Sequence, residues 1–220
     1  MSVNVCGVLY PGFEMLDYFG PMEMFSMLGP DQVNLHTVAQ TTGPIASAVV
    51  ADINAGPKVL ADHAFNTLPQ MDVILVPGGF GTIPALENQP LLDFLVRQAE
   101  EAQVIASVCT GSALLARAGL LDGRKATSNK QIFALATQQS DAVEWVESAR
   151  WVRDGKFYTS SGVSAGTDMA VAIIEDLFGA EVRDRVLSGA EYTWHTDPDS
   201  DPFASELNVA ARALGMANDE

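Results

Sequence analysis

The sequence predicts an α/β protein, with a mostly parallel central sheet and helices on both faces. Three observations point there. Short apolar runs alternate with stretches of helical periodicity as far as about residue 178; several of those runs are predominantly apolar rather than alternating, as strands buried on both faces are; and Gly or Pro closes them. The chain has 220 residues, 48% of them hydrophobic, enough for one domain with a substantial core. The expected division is a single domain with its core over about 3–190 and a C-terminal extension over about 191–220. The acidic end after about Asn208 reads as dispensable for that core.

Residues 3–10 are an apolar run closed by Pro11 and Gly12, the pattern of a first central strand. Leu16, Phe19, Met24, Phe25 and Leu28 recur near helical spacing, but Gly20 and Pro21 interrupt them. The helix is therefore expected to begin at Pro21, leaving Asp17 in the turn before it. Residues 33–38 read as a second strand, and the weakly alternating Gly, Ala and Pro stretch after it as an excursion of small strands. Residues 72–76 are a Val, Ile and Leu strand running into Pro77, Gly78, Gly79, Phe80 and Gly81, after which Pro90 opens a helix to about Glu101. Residues 104–108 form the next strand and run straight into Cys109, Thr110 and Gly111; a helix over 112–118 follows, ended by the turn at 119–123. Residues 125–127 are a brief strand and 130–137 a helix. Residues 150–153 and 157–159 read as a hairpin, because the Asp154-Gly155 pair between them tolerates the positive φ of a tight turn. The last large element is a helix over 165–178 with Met169, Ala172, Ile173 and Leu177 on one face.

Charge narrows the partners. Twelve Lys and Arg against 28 Asp and Glu leave a net charge of -16, which repels phosphate backbones and anionic lipid heads. Nucleic acid and membrane are not expected as partners; a small-molecule substrate is the expected one. The N-terminal apolar stretch has no basic region before it and is too short for a signal h-region or a membrane span, so a cytoplasmic location is expected. The two cysteines, Cys6 and Cys109, are expected to be reduced thiols with separate roles.

Open parallel sheets bind ligands beyond the carboxyl ends of their strands, which singles out Asp17, the 78–81 loop and Cys109. The run Ser107-Val108-Cys109-Thr110-Gly111 has the form of a nucleophile elbow with Cys as the nucleophile and Ser107 at the usual first glycine. At a helix entrance, unpaired N–H groups and the macrodipole would lower the thiol pKa toward neutrality. Against this stands a buried structural thiol, the common fate of free cysteine and the reading preferred for Cys6 inside its apolar strand. The Gly-rich loop suits an oxyanion hole or a plain tight turn; it fits neither the dinucleotide fingerprint nor a Walker motif. Asp17 is either a proton shuttle beside the sulfur or an exposed helix cap. His36, His63 and His195 lack metal-ligand spacing, so no metal is expected. Trp194 and His195 belong either to a pocket or to an aromatic patch holding the C-terminal segment.

Taken together, 16–21 (LDYFGP), 76–81 (VPGGFG), 106–112 (ASVCTGS), 118–127 (AGLLDGRKAT) and 161–170 (SGVSAGTDMA) resemble the ThiJ/PfpI superfamily, the class I glutamine amidotransferase-like group, over about 3–184. Within it the chain most resembles the isocyanide hydratase branch and the sensor halves of certain transcription regulators. The remaining forty or so residues are too few for a paired helix-turn-helix module, so no DNA-binding extension is expected. The resemblance implies a flavodoxin-like fold, a homodimer, no dissociable cofactor, Cys109 as nucleophile and a carboxylate beside it. Many relatives carry Glu at that turn; Asp17 is the isocyanide hydratase choice. Carried over by position, Gly79 and Thr110 offer backbone amides around the sulfur, and the Thr110 hydroxyl lies near the reacting group. Apart from that carry-over, Gly78, Asn129 and Trp194 are candidate pocket residues. Many related chains have a His-Trp pair where this one has Ser128, Asn129 and Lys130, and Asn cannot exchange protons near neutral pH as His can. The expected activity is addition of water to an isocyanide. The alternatives are a glyoxalase or deglycase acting on methylglyoxal-type carbonyls and a non-enzymatic, redox-responsive cysteine module.

Overall fold

The computed structural model describes residues 2–50 and 52–218. Along the chain run β1 (Val3–Val8), α1 (Met15–Ser26), β2 (Val33–Ala39), β3 (Gly43–Ala46), β4 (Lys58–Ala61), β5 (His63–Ala64), β6 (Val73–Val76), α2 (Thr82–Ala85) and α3 (Gln89–Ala99). There follow β7 (Val104–Val108), α4 (Gly111–Arg117), β8 (Lys125–Ala126), α5 (Phe133–Thr137), β9 (Glu144–Trp145), β10 (Trp151–Asp154), β11 (Phe157–Ser160), α6 (Ala165–Phe178), α7 (Ala180–Gly189) and α8 (Val209–Ala213). The central sheet has seven strands in the order β10-β11-β7-β6-β1-β2-β5. Only β10 runs antiparallel, through the predicted hairpin.

The apolar runs explain the order. Every residue of β6 and β7 is buried, as central parallel strands must be. From β1 the chain first builds outward through β2 to β5, then returns to β1's other side with β6, β7 and β11. The direction of winding therefore reverses between β1 and β6. The crevice beyond the carboxyl ends of the strands at such a reversal is where open α/β sheets hold ligands, and the segments after β1, β6 and β7 end there. Asn88 caps α3 by accepting a hydrogen bond from Leu91 N–H at 3.2 Å, with Pro90 in its first turn, a cap worth about 1 kcal/mol.

Two expectations need correction. The first helix begins at Met15, not Pro21, so Asp17 lies in its first turn and Pro21 inside it. Burial decides this: Asp17, Tyr18, Met22, Met24 and Phe25 are all buried, and Tyr18 packs edge-on against Phe13 at 5.7 Å. That packing outweighs the roughly 3 kcal/mol an internal proline costs. The end of the chain is not bare surface either. Asn208 N–H donates to Lys130 O at 2.7 Å, Asn208 Oδ1 accepts from Ala134 N–H at 2.7 Å, and Ala211 is fully buried. Residues 208–211 are thereby fastened to α5 and the turn before it.

Candidate active site

The elbow is present and strained. Cys109 has φ +59°, in the left-handed region that L residues adopt at a cost of about 1–2 kcal/mol. Its backbone is held from both sides: the N–H donates to Ser160 O and Ser161 O, and the carbonyl accepts from the Ser112 and Ser128 hydroxyls at 3.2 and 3.1 Å. The side chain lines a cavity of about 200 Å³ with Glu14, Gly79, Phe80, Thr110, Asn129, Gln131, Ile132, Val163, Ala210 and Leu214.

Three donors converge on the sulfur. Asn129 Nδ2 lies 3.1 Å from Sγ, and the backbone N–H groups of Val163 and Thr110 are directed at it. Asn129 is aimed by its own carbonyl, which accepts from Ile132 N–H at 3.1 Å. Val163 holds a φ of +35°, strain that is unusual in a β-branched residue and that marks functional sites. Asp17 completes the group. It is fully buried; Oδ2 accepts from Gly78 N–H at 2.9 Å, Oδ1 is buried without a well-formed partner, and the Cys109 thiol is the side-chain group that interacts with the carboxyl. It is not an exposed helix cap. Gly78 is required by close approach, since a Cβ there would stand 2.5 Å from Thr110 Oγ1 and 2.9 Å from Asp17 Oδ2.

Electrostatics correct the expected low thiol pKa. Burial, and after it the Asp17 charge, push the Cys109 thiol well up, against the three donors that favour the thiolate. Burial and the Glu14 charge likewise raise Asp17 well above the usual carboxylate range. At 5% exposure Cys109 sees little water, and a seven-residue helix does not compensate for that. Both shifts disfavour the charged forms, so the pair resists carrying two negative charges at once.

Gly79 also departs from expectation. Its N–H donates to Thr110 Oγ1 at 3.0 Å, so it is spent inside the protein rather than aimed at the sulfur. The same hydroxyl lies 2.8 Å from Thr82 Oγ1, which is 3.0 Å from the Tyr10 hydroxyl, a buried chain that fixes the 77–81 loop. Thr110 does supply its backbone N–H. Trp194 is not in the cavity: its ring stacks on Trp151 at 6.4 Å, and Nε1–H donates to Asp168 O at 3.1 Å. The aromatic-patch alternative holds there. Ser128 and Asn129 both turn to the elbow. Lys130 is buried against Thr127 Oγ1 and Ala149 O at 2.7 Å each, and burial pulls its amine down to about 8. A larger cavity of about 280 Å³, lined by Lys130, Gly162, Ser164, Phe203 and Glu206 among others, lies beyond Asn129 and Val163 and does not reach Cys109. Among the described residues no group of three or more His, Cys, Asp or Glu could hold a metal ion, and no helix is long and apolar enough to cross a membrane.

Val163, Glu14, Ala210 and Leu214 line the cavity without any mark of that role in the local sequence. Val163 lies in a quoted motif, but a backbone donor leaves no signature in residue type. The others reach the cavity from distant parts of the chain.

Residues 3–176 match the DJ-1/PfpI family. The isonitrile hydratase of Pseudomonas putida is 35% identical over 193 residues, 87% of this chain and 79% of that enzyme. The HTH-type transcriptional regulator CdhR of Pseudomonas aeruginosa is 27% identical over 83% of this chain, which spans 53% of the regulator. A crystal structure of a ThiJ/PfpI family protein from Pseudomonas syringae matches with a TM-score of 0.78 and 30% identity, covering 98% of this chain and 85% of that one. With the parallel sheet, the strained cysteine elbow and the matched residues in agreement, the chain belongs to the DJ-1/PfpI family.

Proposed function

We infer that the protein is a cysteine-dependent isocyanide hydratase, converting R–N≡C and water to the formamide R–NH–CHO. The observation that carries this is the buried Cys109–Asp17 pair with three donors on the sulfur, supported by likeness to an isonitrile hydratase. An isocyanide is neutral and its terminal carbon carbenoid, taking both a nucleophile and a proton, so it needs one soft nucleophile and one proton source. As Cys109 Sγ bonds to the terminal carbon, the proton lost from the thiol passes through Asp17 to that carbon, leaving the thioimidate R–N=CH–S–Cys109. Water then adds across C=N, giving one proton to the Asp17 carboxylate and leaving nitrogen protonated from the same group. Collapse of R–NH–CH(OH)–S expels the thiolate, the hydroxyl proton returns to Asp17, and one water has been added. The Asn129, Val163 and Thr110 donors hold the charge on sulfur at the start and the end of the cycle.

The reading includes a homodimer, for which light scattering should give twice the 23.4 kDa chain mass, and a cytoplasmic setting, which the two free thiols support. The test is formamide production from a simple alkyl isocyanide. Wild type should turn over and Cys109→Ala should not; retained turnover in that variant would sink the mechanism. Likeness to a regulator favours one second reading, a ligand-binding module: saturable isocyanide binding with no formamide formed would select it.

A further inference from the structure

The Cys109 cavity has two kinds of wall. Near the chemistry it is fixed by the elbow, the 77–81 loop and Asn129. Of the remaining wall, which Glu14, Gln131, Ile132 and Val163 also line, one side is brought from the far end of the chain by Ala210 and Leu214. Outside it lies a second apolar depression, about 390 Å³, formed by Ile53, Ile83, Pro84 and Met216, and it shares Phe80 and Leu214 with the cavity. Those two side chains are the partition between the two spaces.

The backbone of this partition is pinned while its side chain is free. Ala211 N–H donates to Gln131 O at 2.9 Å, Met216 N–H to Ala211 O at 2.8 Å, and Gln138 Nε2 to Met216 O at 2.7 Å. Leu214, between these anchors, is 52% exposed, and Ile83 across the groove is 39% exposed. A residue so placed, just past the end of α8, contributes little to the core and can turn without unfolding that helix. The cavity alone is smaller than the roughly 300–1,000 Å³ of ordinary ligand pockets; joined to the groove it falls within that range.

Chemistry supplies the direction. An isocyanide is linear through carbon and nitrogen, so once its carbon meets Sγ the substituent must continue away from the sulfur. We propose that Phe80 and Leu214 form a specificity gate through which the substrate's apolar substituent passes into the Ile53, Ile83, Pro84 and Met216 groove, so that the site prefers isocyanides with extended alkyl or aryl groups. Glu14 in the cavity and the net charge of -16 select against anionic substituents. This rests on the hydratase reading for its substrate but not for its geometry, and the test separates the two.

Steady-state kinetics with methyl and n-hexyl isocyanide should give a kcat/KM higher for hexyl, on the order of tenfold or more. Leu214→Trp, which closes the gate, and Ile83→Asp, which makes the groove polar at an exposed position, should each lower the hexyl-to-methyl ratio at least fivefold. A ratio near one in wild type, or a ratio unmoved in both folded variants, overturns the gate. If wild type turns over no isocyanide, the hydratase reading fails on its own, and alkylation of Cys109 by N-ethyl and N-hexyl maleimide, followed by peptide mass spectrometry, decides the gate. Faster hexyl labelling in wild type that is lost in both variants supports it; equal labelling throughout rejects it.

Discussion

At the scale of single residues, the proposed chemistry turns on the passage of a proton between Cys109 and Asp17. After burial, the Asp17 charge is what raises the thiol, so in Asp17→Asn Cys109 should ionise at a lower pH, read from thiolate absorbance, while turnover falls because the proton relay is lost. A variant with a more reactive thiol and less catalysis separates acidity from mechanism. The same substitution should alter stability with a defined sign. The folded-state pKa of Asp17 is raised, so its contribution is fully present below the ordinary value of 3.8 and is lost as pH rises toward the folded value. Asp17→Asn should therefore match wild type near pH 3.5 and melt progressively higher than wild type as pH rises to 7. Asn129→Ala removes one donor from the sulfur; a hydrogen bond to a charged group is worth ~1.5–3 kcal/mol, so iodoacetamide labelling of Cys109 at pH 7 should slow about 10- to 100-fold.

Elements are held in place by a few buried polar anchors. Asp168, on α6, receives Arg150 Nε and Nη2 at 2.8 and 2.6 Å, the Tyr192 hydroxyl at 2.9 Å and His195 N–H at 3.0 Å, and so ties the segment after α7 to the sheet edge. Arg150 and Asp168 are both buried, at 8% and 1% side-chain exposure. Asp168→Ala leaves a buried guanidinium unpaired and should cost about 3–5 kcal/mol by urea unfolding. Trp194→Phe loses one hydrogen bond, a loss of about 0.5–1.5 kcal/mol, and should leave kcat/KM unchanged, because the ring stacks on Trp151 and does not line the cavity. The sequence marked α6 from its periodicity and Trp194 from its residue type. Which way the indole faced depended on Asp168, 26 positions earlier, and no local pattern carries that.

For the whole molecule, a net charge of -16 means the folded chain repels itself more than the extended one. Raising salt from about 0.01 M to about 0.5 M shortens the Debye length from about 30 Å to under 10 Å, so Tm should rise with NaCl. A flat or falling Tm would show that the exposed ion pairs, such as Arg117–Glu87 and Arg153–Asp176, outweigh the general repulsion.

By itself the sequence determined the sheet, its hairpin, the long helix over 165–178 and the placing of Cys109 at a strand-to-helix turn. These follow from runs and spacings within a dozen residues, where apolar period and turn chemistry act directly. Tertiary structure alone decided the rest. It buried Asp17 in a helix that runs through a proline, turned Gly79 N–H to Thr110, kept Trp194 away from the thiol and folded residues 208–214 over the cavity. Each outcome depends on desolvation and packing by residues remote in sequence, and a carboxyl, an amide or a thiol is given its acidity and its partner only when that surrounding is complete.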